Sequence, residues 1–317
     1  MGWAWAVGKR AFFALDPERA HHVALTLLGA PAPWGWIGGA PDPDGTVDVH
    51  GVPLANRVGL AGGFDKACAR MGPLGRLGFG YVVGGTVTYA PRPGNPLPRI
   101  ARTPSDRALV NAMGLPNPGA AEVARTLART PRTTSRWVSL ADEALEDVMR
   151  ALELVAPHAD AIELNASSPN AGWAHRADHV GVVTEAAARV TDRPVIVKLP
   201  PYRDDTAREG VLAMARAARD GGAIALTCGN TLPVADARMS TGRGGLSGGP
   251  LTAHTPGAVR EVAAATGLPV HACGGISTVE DVRACLEAGA ATVQVYTALI
   301  YDGPRLVGRL VEGASGR

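Results

Sequence analysis

The feature that most restricts the fold of this chain is an eightfold alternation of apolar strand-like segments with helix-like segments, which begins at Asn56. The predicted strands are residues 56–61, 81–86, 136–140, 160–165, 194–199, 223–228, 269–273 and 291–296. The helices that follow them are predicted near residues 66–78, 117–130, 141–156, 177–191, 205–221, 254–267, 278–289 and 303–313. Strands that are apolar on both faces are typical of a parallel sheet covered by helices. We therefore predict an α/β fold, a (β/α)8 TIM barrel; a doubly wound open sheet is the alternative, which would not require eight repeats.

Two short apolar helices are predicted ahead of the barrel. The first spans residues 3–15. Asp16 suits the N-cap of the second helix, and Pro17 suits its first helical position. We accordingly divide the chain into a short two-helix N-terminal extension, residues 1–30, and a cofactor-binding barrel domain, residues 46–317.

The composition of this extension suggests where it lies. Its tryptophans and phenylalanines are close in sequence to Lys9 and Arg10, and that combination suits a membrane interface. We predict peripheral membrane contact through residues 3–28, with a helix pair packed dry against the barrel as the alternative. A linker rich in glycine and proline, residues 29–45, follows.

Charge and cysteine usage exclude several classes of protein. Lys and Arg total 31 against 29 Asp and Glu, so nothing indicates a nucleic-acid partner. The four cysteines form no CxxC or Cys/His pattern, so we expect reduced thiols and no metal. With no apolar run of 18 residues and no secretory signal, we expect a cytoplasmic protein that can lie peripherally on the inner face of the cell membrane.

In a barrel of this kind the chemistry lies at the carboxyl ends of the strands. The residues at those ends are Lys66, Thr86, Ser139, Asn165, Lys198, Thr227, Gly274–Gly275 and Tyr296–Thr297. Two long connections, residues 89–117 and 229–252, leave the same face and are expected to carry binding segments.

The octapeptide at residues 163–170 places two carboxamides and two hydroxyls where a strand stops at Pro169. Carboxamides offer both hydrogen-bond roles to the edge of a planar heterocycle. A serine hydroxyl between them can accept a ring proton if a relay removes it. The alternative interpretation is a polar loop with an Asx turn.

The last strands and two lysines indicate a phosphorylated redox cofactor. Gly274–Gly275, Tyr296–Thr297 and the segment 244–249 offer backbone N–H groups to a phosphate. Lys198 and Lys66 suit the anionic reduced ring of a flavin, and ion pairs with Asp65 or Glu163 are the alternative. The absence of a carboxylate pair or a metal cluster from the sequence pattern favours redox chemistry over hydrolysis.

The chain resembles the dihydroorotate dehydrogenases, FMN-dependent (β/α)8 enzymes of pyrimidine synthesis. The similarity extends over nearly the whole chain. It includes FFALDPERAH (12–21), GLAGGFDK (59–66), GTVT (85–88), RPGNP (92–96), NAMG (111–114), NASSPN (165–170), GGLSG (244–248) and GGI (274–276).

The resemblance implies roles for individual residues. It implies that Ser168 is the catalytic base for the C5 proton while C6 gives hydride to flavin N5, with Lys66 also in the catalytic set. The implied FMN contacts are Gly62, Gly63, Lys66, Thr86, Ser139, Asn165, Lys198, Gly248, Gly275, Tyr296 and Thr297. The implied substrate contacts are Lys66, Asn111, Met113, Gly114, Leu115, Asn165, Asn170 and Thr227. Serine is a weak base, so a water or neighbouring hydroxyl is expected to relay the proton.

The resemblance also bears on the electron acceptor. The extension and Ser168 match the membrane-associated, quinone-using class, so we predict quinone as a partner that reaches FMN through an apolar tunnel in the extension. Other segments, MGLPNP (113–118) and VKLPPY (197–202), are more similar to the soluble class with a cysteine base. Leu115 and Ala171 stand where the quinone class has phenylalanine and threonine.

The largest departure follows the sixth strand, where the family has an Asn-Thr or Asn-Ser pair and this chain aligns Leu226-Thr227. A shifted alignment places Asn230-Thr231 there. Losing a carboxamide would leave a substrate polar group unpaired. The prediction is a dihydroorotate dehydrogenase that reduces quinone; the alternatives are a divergent FMN oxidoreductase acting on another carboxylated ring and a catalytically silent FMN-binding protein.

Overall fold

The computed structural model describes residues 2–30, 46–49 and 51–314. Most of the predicted linker, residues 31–45, lies outside the described residues, as do Met1, His50, residues 315–317 and the side chain of Trp3.

Fourteen strands run through the described residues. They are β1 (Val47–Val49), β2 (Val52–Leu54), β3 (Val58–Leu60), β4 (Tyr81–Val87), β5 (Ile100–Thr103), β6 (Ala108–Asn111), β7 (Ser135–Leu140), β8 (Ala161–Asn165), β9 (Val195–Leu199), β10 (Ala225–Cys228), β11 (Leu232–Ala235), β12 (Arg243–Gly248), β13 (Val270–Cys273) and β14 (Ala290–Val295).

Eleven α-helices are found in the same part of the chain, together with three short 3₁₀ turns. The helices are α1 (Gly2–Ala14), α2 (Pro17–Gly29), α3 (Met71–Arg76), α4 (Ala120–Arg129), α5 (Leu145–Val155), α6 (Ala177–Val190), α7 (Asp205–Asp220), α8 (Thr255–Thr266), α9 (Val279–Glu287), α10 (Thr297–Asp302) and α11 (Leu306–Ala314).

Eight of the strands close into a parallel barrel in the order β3-β4-β7-β8-β9-β10-β13-β14, and β14 pairs with β3. These are the eight predicted strands, so the predicted TIM barrel is confirmed. Every residue of β4, β8, β9, β10 and β13 is buried, because helices cover the outside and packed side chains fill the inside. This burial on both faces explains why the strands are continuous apolar runs in the sequence.

An apolar cluster closes the barrel at the amino ends of its strands. The hairpin β1-β2 contributes Leu54, which packs with Tyr81 and Trp137. The rings of Tyr81 and Trp137 stack with centroids 4.0 Å apart, and the Tyr81 hydroxyl lies 2.6 Å from Thr292 Oγ1. The opposite end of the barrel is thereby the end open to ligands.

One predicted helix is shorter than expected. The helix expected at 66–78 is only α3, because the Asp65 carboxylate accepts the N–H groups of Ala69 and Arg70, at 3.0 and 2.6 Å, and holds a turn there. The two long connections, which are expected to carry binding segments, contain regular secondary structure. They supply β5, β6, β11 and β12, which form an antiparallel sheet in the order β11-β12-β6-β5.

The two-helix extension is observed as predicted, and arginines of the barrel connections hold it. Asp16 caps α2 through the N–H groups of Glu18 and Arg19, at 3.0 and 3.1 Å. Arg99 donates to Glu18 with the shortest distance at 2.6 Å, and Arg102 donates to backbone carbonyls at the end of α1, including that of Leu15 at 2.9 Å. Among the described helices, none has the length and apolarity needed to cross a bilayer. The domain limits at 1–30 and 46–317 stay predictions.

A glycine substitution tests the packing at the closed end. A Cβ on Gly59 would lie 2.2 Å from the Tyr81 ring, so G59A must displace a stacked, buried side chain. We expect it to lower the free energy of unfolding by about 1–3 kcal/mol or more, as overpacking does. Urea unfolding followed by circular dichroism measures this.

The matched control is G210A in α7, where no atom lies within 4 Å of the added Cβ. Because alanine is the better helix former, this variant should be as stable as the parent chain or more so, by about 0.5–1 kcal/mol. Equal destabilisation of both variants would contradict the packing described for Gly59.

Candidate active site

A single cavity of about 2040 Å³ opens at the carboxyl ends of the barrel strands. Typical small-molecule pockets measure about 300–1,000 Å³, so this one has room for more than one ligand. Every predicted site residue except Thr227 lines it: Gly62, Gly63, Lys66, Thr86, Asn111, Met113, Gly114, Leu115, Ser139, Asn165, Ser168, Asn170, Lys198, Gly248, Gly275, Tyr296 and Thr297.

A chain of side-chain hydrogen bonds runs along one wall of the cavity. Asn230 Nδ2 donates to Ser167 Oγ at 2.6 Å, and Ser167 Oγ donates to Asn165 Oδ1 at 2.6 Å. Asn165 Nδ2 then donates to Thr86 Oγ1 at 3.0 Å, and Thr86 lies 3.1 Å from Ser139 Oγ. Each bond fixes the orientation of the next carboxamide, so the wall presents polar edges in fixed directions.

The structure does not bring Thr227 to the cavity, which corrects the prediction that it contacts substrate. Its side chain is fully buried and donates to Glu163 Oε2 at 2.8 Å. Asn230 lies three residues further on, past the end of β10, and does line the cavity. The shifted alignment is therefore the one that matches the three-dimensional arrangement, and the carboxamide is present.

Ser168 lies in the connection between β8 and α6. It is 3% exposed, and its Oγ accepts the backbone N–H of Asn170 at 3.2 Å. This short-range hydrogen bond forms a turn, as expected from the alternative interpretation of residues 163–170 as a polar loop. Because Ser168 also lines the cavity, this turn does not exclude a chemical role for its hydroxyl.

Lys66 is a poorly compensated cation at the cavity. Its Nζ donates to the Gly63 carbonyl at 2.7 Å. Burial lowers the pKa of Lys66 to about 8; Glu18 opposes that shift and Arg99 adds to it. The ion pair with Asp65 that was the alternative is not observed, since Asp65 accepts backbone N–H groups instead. Lys66 is thus available to a ligand anion.

Lys198 does have a carboxylate near it. Its Nζ lies 3.9 Å from Glu163 Oε1, and both side chains are buried. Burial works against the charged form, but Cys273 and Glu163 outweigh it and raise the pKa of Lys198. Glu163 Oε1 accepts no hydrogen bond from the described residues, and the pair is long, so Lys198 retains donors for a ligand.

Backbone segments on the opposite side of the cavity suit a phosphate. Gly248 has φ +93°, and a Cβ there would lie 2.3 Å from the Arg107 carbonyl oxygen. Gly275 has φ +71°, and its Cβ would lie 2.3 Å from Thr252 N, so both positions require glycine. Thr297 begins α10 and offers the free N–H groups of a helix start. We call Gly248, Gly275 and Thr297 the phosphate cradle. Together with Lys66, Lys198 and the carboxamide wall, the phosphate cradle fits a planar, phosphorylated cofactor.

The cavity extends from Lys66 toward α1 and α2, where its lining becomes apolar and includes Phe13, Ala24 and Leu28. An aromatic series connects the two regions. His21 packs edge-on against Phe64, with centroids 5.0 Å apart, and Phe64 packs edge-on against Tyr296 at 5.5 Å.

His21 is neutral in this position. Burial, with the neighbouring Lys66 charge, lowers the pKa of His21 to about 3. Neither His21 nor Phe64 was predicted from the sequence to belong to the site. They lie in the segments FFALDPERAH (12–21) and GLAGGFDK (59–66), but a position in those segments does not indicate that a side chain faces the cavity.

Comparison with known proteins agrees with this arrangement. The sequence model of the family described as dihydroorotate dehydrogenase matches residues 45–315. The dihydroorotate dehydrogenase (quinone) of Clavibacter michiganensis subsp. michiganensis is 38% identical, with 92% of each chain covered. That of Thermus thermophilus is 36% identical, covering 96% of this chain and 94% of the relative.

A solved structure gives the same result. The crystal structure of DHODH from Eimeria tenella in complex with ferulenol superimposes with a TM-score of 0.83 at 28% identity. The match covers 94% of this chain and 90% of that one.

Removing one member of the buried pair tests its contribution. E163Q takes away the carboxylate while Lys198 stays buried, so we expect the free energy of unfolding to fall by about 3 kcal/mol. Urea unfolding measures it. The double variant E163Q/K198M leaves no buried charge and should lose less than the sum of the single variants. Additive losses would show that the two groups do not interact.

Proposed function

This chain belongs to the dihydroorotate dehydrogenase family, and we propose that it is an FMN-dependent enzyme that oxidises dihydroorotate to orotate in pyrimidine synthesis and passes the electrons to a quinone. The observation that carries this proposal is one continuous cavity. It runs from Ser168 and the carboxamide wall, past the phosphate cradle, to the apolar space between α1 and α2. Three ligands that react in sequence require such a connected space.

The residues present fit FMN. Gly248, Gly275 and Thr297 would hold its phosphate through backbone N–H groups, and Lys198 would offer its cation to the ring. Other contacts would come from Gly62, Gly63, Lys66, Thr86, Ser139, Asn165 and Tyr296. When bound, FMN supplies the hydride acceptor.

The substrate is a carboxylated ring with amide edges. Lys66 would bind its carboxylate, and the carboxamides of Asn111, Asn165 and Asn170 would pair with its ring. Asn230 joins this set in place of Thr227, while Met113, Gly114 and Leu115 would enclose the ring. The divergent-enzyme alternative rested on a missing carboxamide, and the position of Asn230 removes that reason.

Ser168 is the base in this proposal. Its Oγ would take the C5 proton as the hydride leaves C6 for the cofactor. The buried position limits direct contact between this oxygen and bulk solvent, and the N–H of Asn170 orients the oxygen.

The extension would admit the quinone and contact the membrane. An apolar ring can enter between α1 and α2 and approach the aromatic series from His21 to Tyr296. Val23 and Leu27 on α2 are exposed at 42% and 50%, and Leu15, between the two helices, is exposed at 41%. Exposed apolar side chains on short helices are typical of proteins that lie in a membrane interface, so we propose a peripheral location on the inner face of the cell membrane.

Anaerobic flavin reduction tests the proposed reaction. The parent chain should bleach its flavin absorbance with dihydroorotate, while S168A should do so about 10²–10⁴-fold more slowly, because the proton acceptor is gone. The variant should keep its bound FMN. A parent chain whose flavin stays oxidised in excess dihydroorotate would refute the function, and an unimpaired S168A would refute the role of the serine.

Blocking the apolar passage tests the quinone route. A24W places an indole in the cavity lining, so steady-state quinone turnover should fall at least about tenfold while flavin reduction by dihydroorotate is unchanged. T26W is the matched control, since Thr26 lies on the exposed side of α2. If A24W and T26W turn over quinone equally well, the passage is not the route.

A further inference from the structure

His175 lies on the same connection as Ser168, between β8 and α6, and lines the same cavity. Its backbone is left-handed, with φ 63°. Its imidazole hydrogen-bonds with the backbone of Ser167, the residue before the proposed base. The residue as a whole is exposed, although its ring is partly covered. The ring therefore stands between the buried end of the connection and solvent.

Ser168 needs a partner that removes its own proton. A hydroxyl is a weak base, and at 3% exposure Ser168 has little direct access to solvent. Ser167 Oγ is already engaged with Asn165 and Asn230, and carboxamides do not titrate. Within the connection, residues 166–176, His175 is the titratable side chain that lines the cavity.

The protonation state of His175 suits it to accept the proton that Ser168 must lose. Burial lowers the pKa of His175, and the hydrogen bond with Ser167 only partly offsets this, so the ring is neutral at neutral pH. One ring nitrogen donates to the Ser167 backbone, and the other then carries a free lone pair.

The charges around His175 do not alter this state. The charged or titratable side chains on its own segment and on the β9–α7 connection are Arg176, Asp178, His179, Arg203 and Asp204. Arg176 pairs with Asp178 at 2.9 Å, and Asp204 caps α7. The shift of His175 arises from burial and the Ser167 bond.

We propose that His175 is the proton relay for Ser168, so that the proton leaving the substrate reaches solvent through this imidazole. The inference rests on the proposed function and adds a residue to it. The C5–H bond breaks and an O–H bond forms at Ser168 Oγ. The original hydroxyl proton passes through cavity solvent to the free nitrogen of His175, and the imidazolium, held by the Ser167 carbonyl, releases it outside. The electron pair of the C6–H bond would leave as hydride, for which bound FMN would supply the acceptor.

The test compares two asparagine variants of the full-length, FMN-loaded enzyme. H175N keeps a polar side chain that tolerates the left-handed backbone but cannot take up a proton. H179N carries the same substitution four residues further on, in the first turn of α6 and away from the cavity lining. Flavin reduction by saturating dihydroorotate is followed anaerobically by stopped flow between pH 5.5 and 10.

We expect H175N to reduce its flavin about 10–100-fold more slowly at pH 7, because general acid–base catalysis typically contributes rate enhancements of about that size or larger. The parent rate should rise through the lowered pKa of His175 and then level off. In H175N this inflection should vanish, and the rate should climb with hydroxide instead. Added imidazole should speed H175N in a saturable way and leave H179N unaffected.

A normal rate and pH profile in H175N would overturn the relay while leaving the proposed function intact. A slow H175N that keeps the parent inflection and ignores imidazole would also overturn it, because that pattern indicates a structural role. A parent enzyme unreactive toward dihydroorotate would instead defeat the proposed function, and the relay with it.

Discussion

Closure of eight parallel strands into a ring is the constraint on which the rest of this structure depends. Each strand pairs with two neighbours, so the barrel has no free edge, and the carboxyl ends of all strands meet at one rim. Lys66 and Tyr296 are separated by most of the chain, yet β3 and β14 are hydrogen-bonded neighbours. The polar residues that follow the strands converge for this reason and not because of any local attraction among them.

The polar groups at that rim stabilise one another. Asn165 is the central link, since it connects Ser167 to Thr86. A buried carboxamide without partners would cost about 1–3 kcal/mol, so a connected wall is the low-energy arrangement of these residues. Lys66 and Lys198 are not part of this hydrogen-bonded wall. Each has fewer partners than its chemistry allows, and such under-compensated buried cations are typical of sites that bind anions.

The extension is joined to the rim by charge and backbone contacts as well as by apolar packing, since Leu28 belongs to the barrel core and Phe13 packs edge-on against Tyr301. Arg99 and Arg102 lie on or beside β5, and they reach Glu18 and the end of α1. The hydrogen bond from Arg99 lowers the pKa of Glu18, so the carboxylate stays ionised. This arrangement leaves the apolar surfaces between α1, α2 and the barrel free to line a passage. An interface built only from apolar contacts would have filled that space.

By itself the sequence determined the barrel, because strands buried on both faces must be apolar throughout, and eight such runs leave few alternatives. The sequence also identified residues at the carboxyl ends of the strands. Lys66, Asn165 and Lys198 lie where apolar runs end or shortly after, and those ends form the rim of the barrel. Only the tertiary structure decided the antiparallel sheet of β5, β6, β11 and β12, because β5 and β12 are half-exposed and carry no continuous apolar run. The tertiary structure likewise decided whether Thr227 or Asn230 lines the cavity. Whether a side chain points into or out of a barrel depends on strand register, and the sequence does not show at which residue the strand ends.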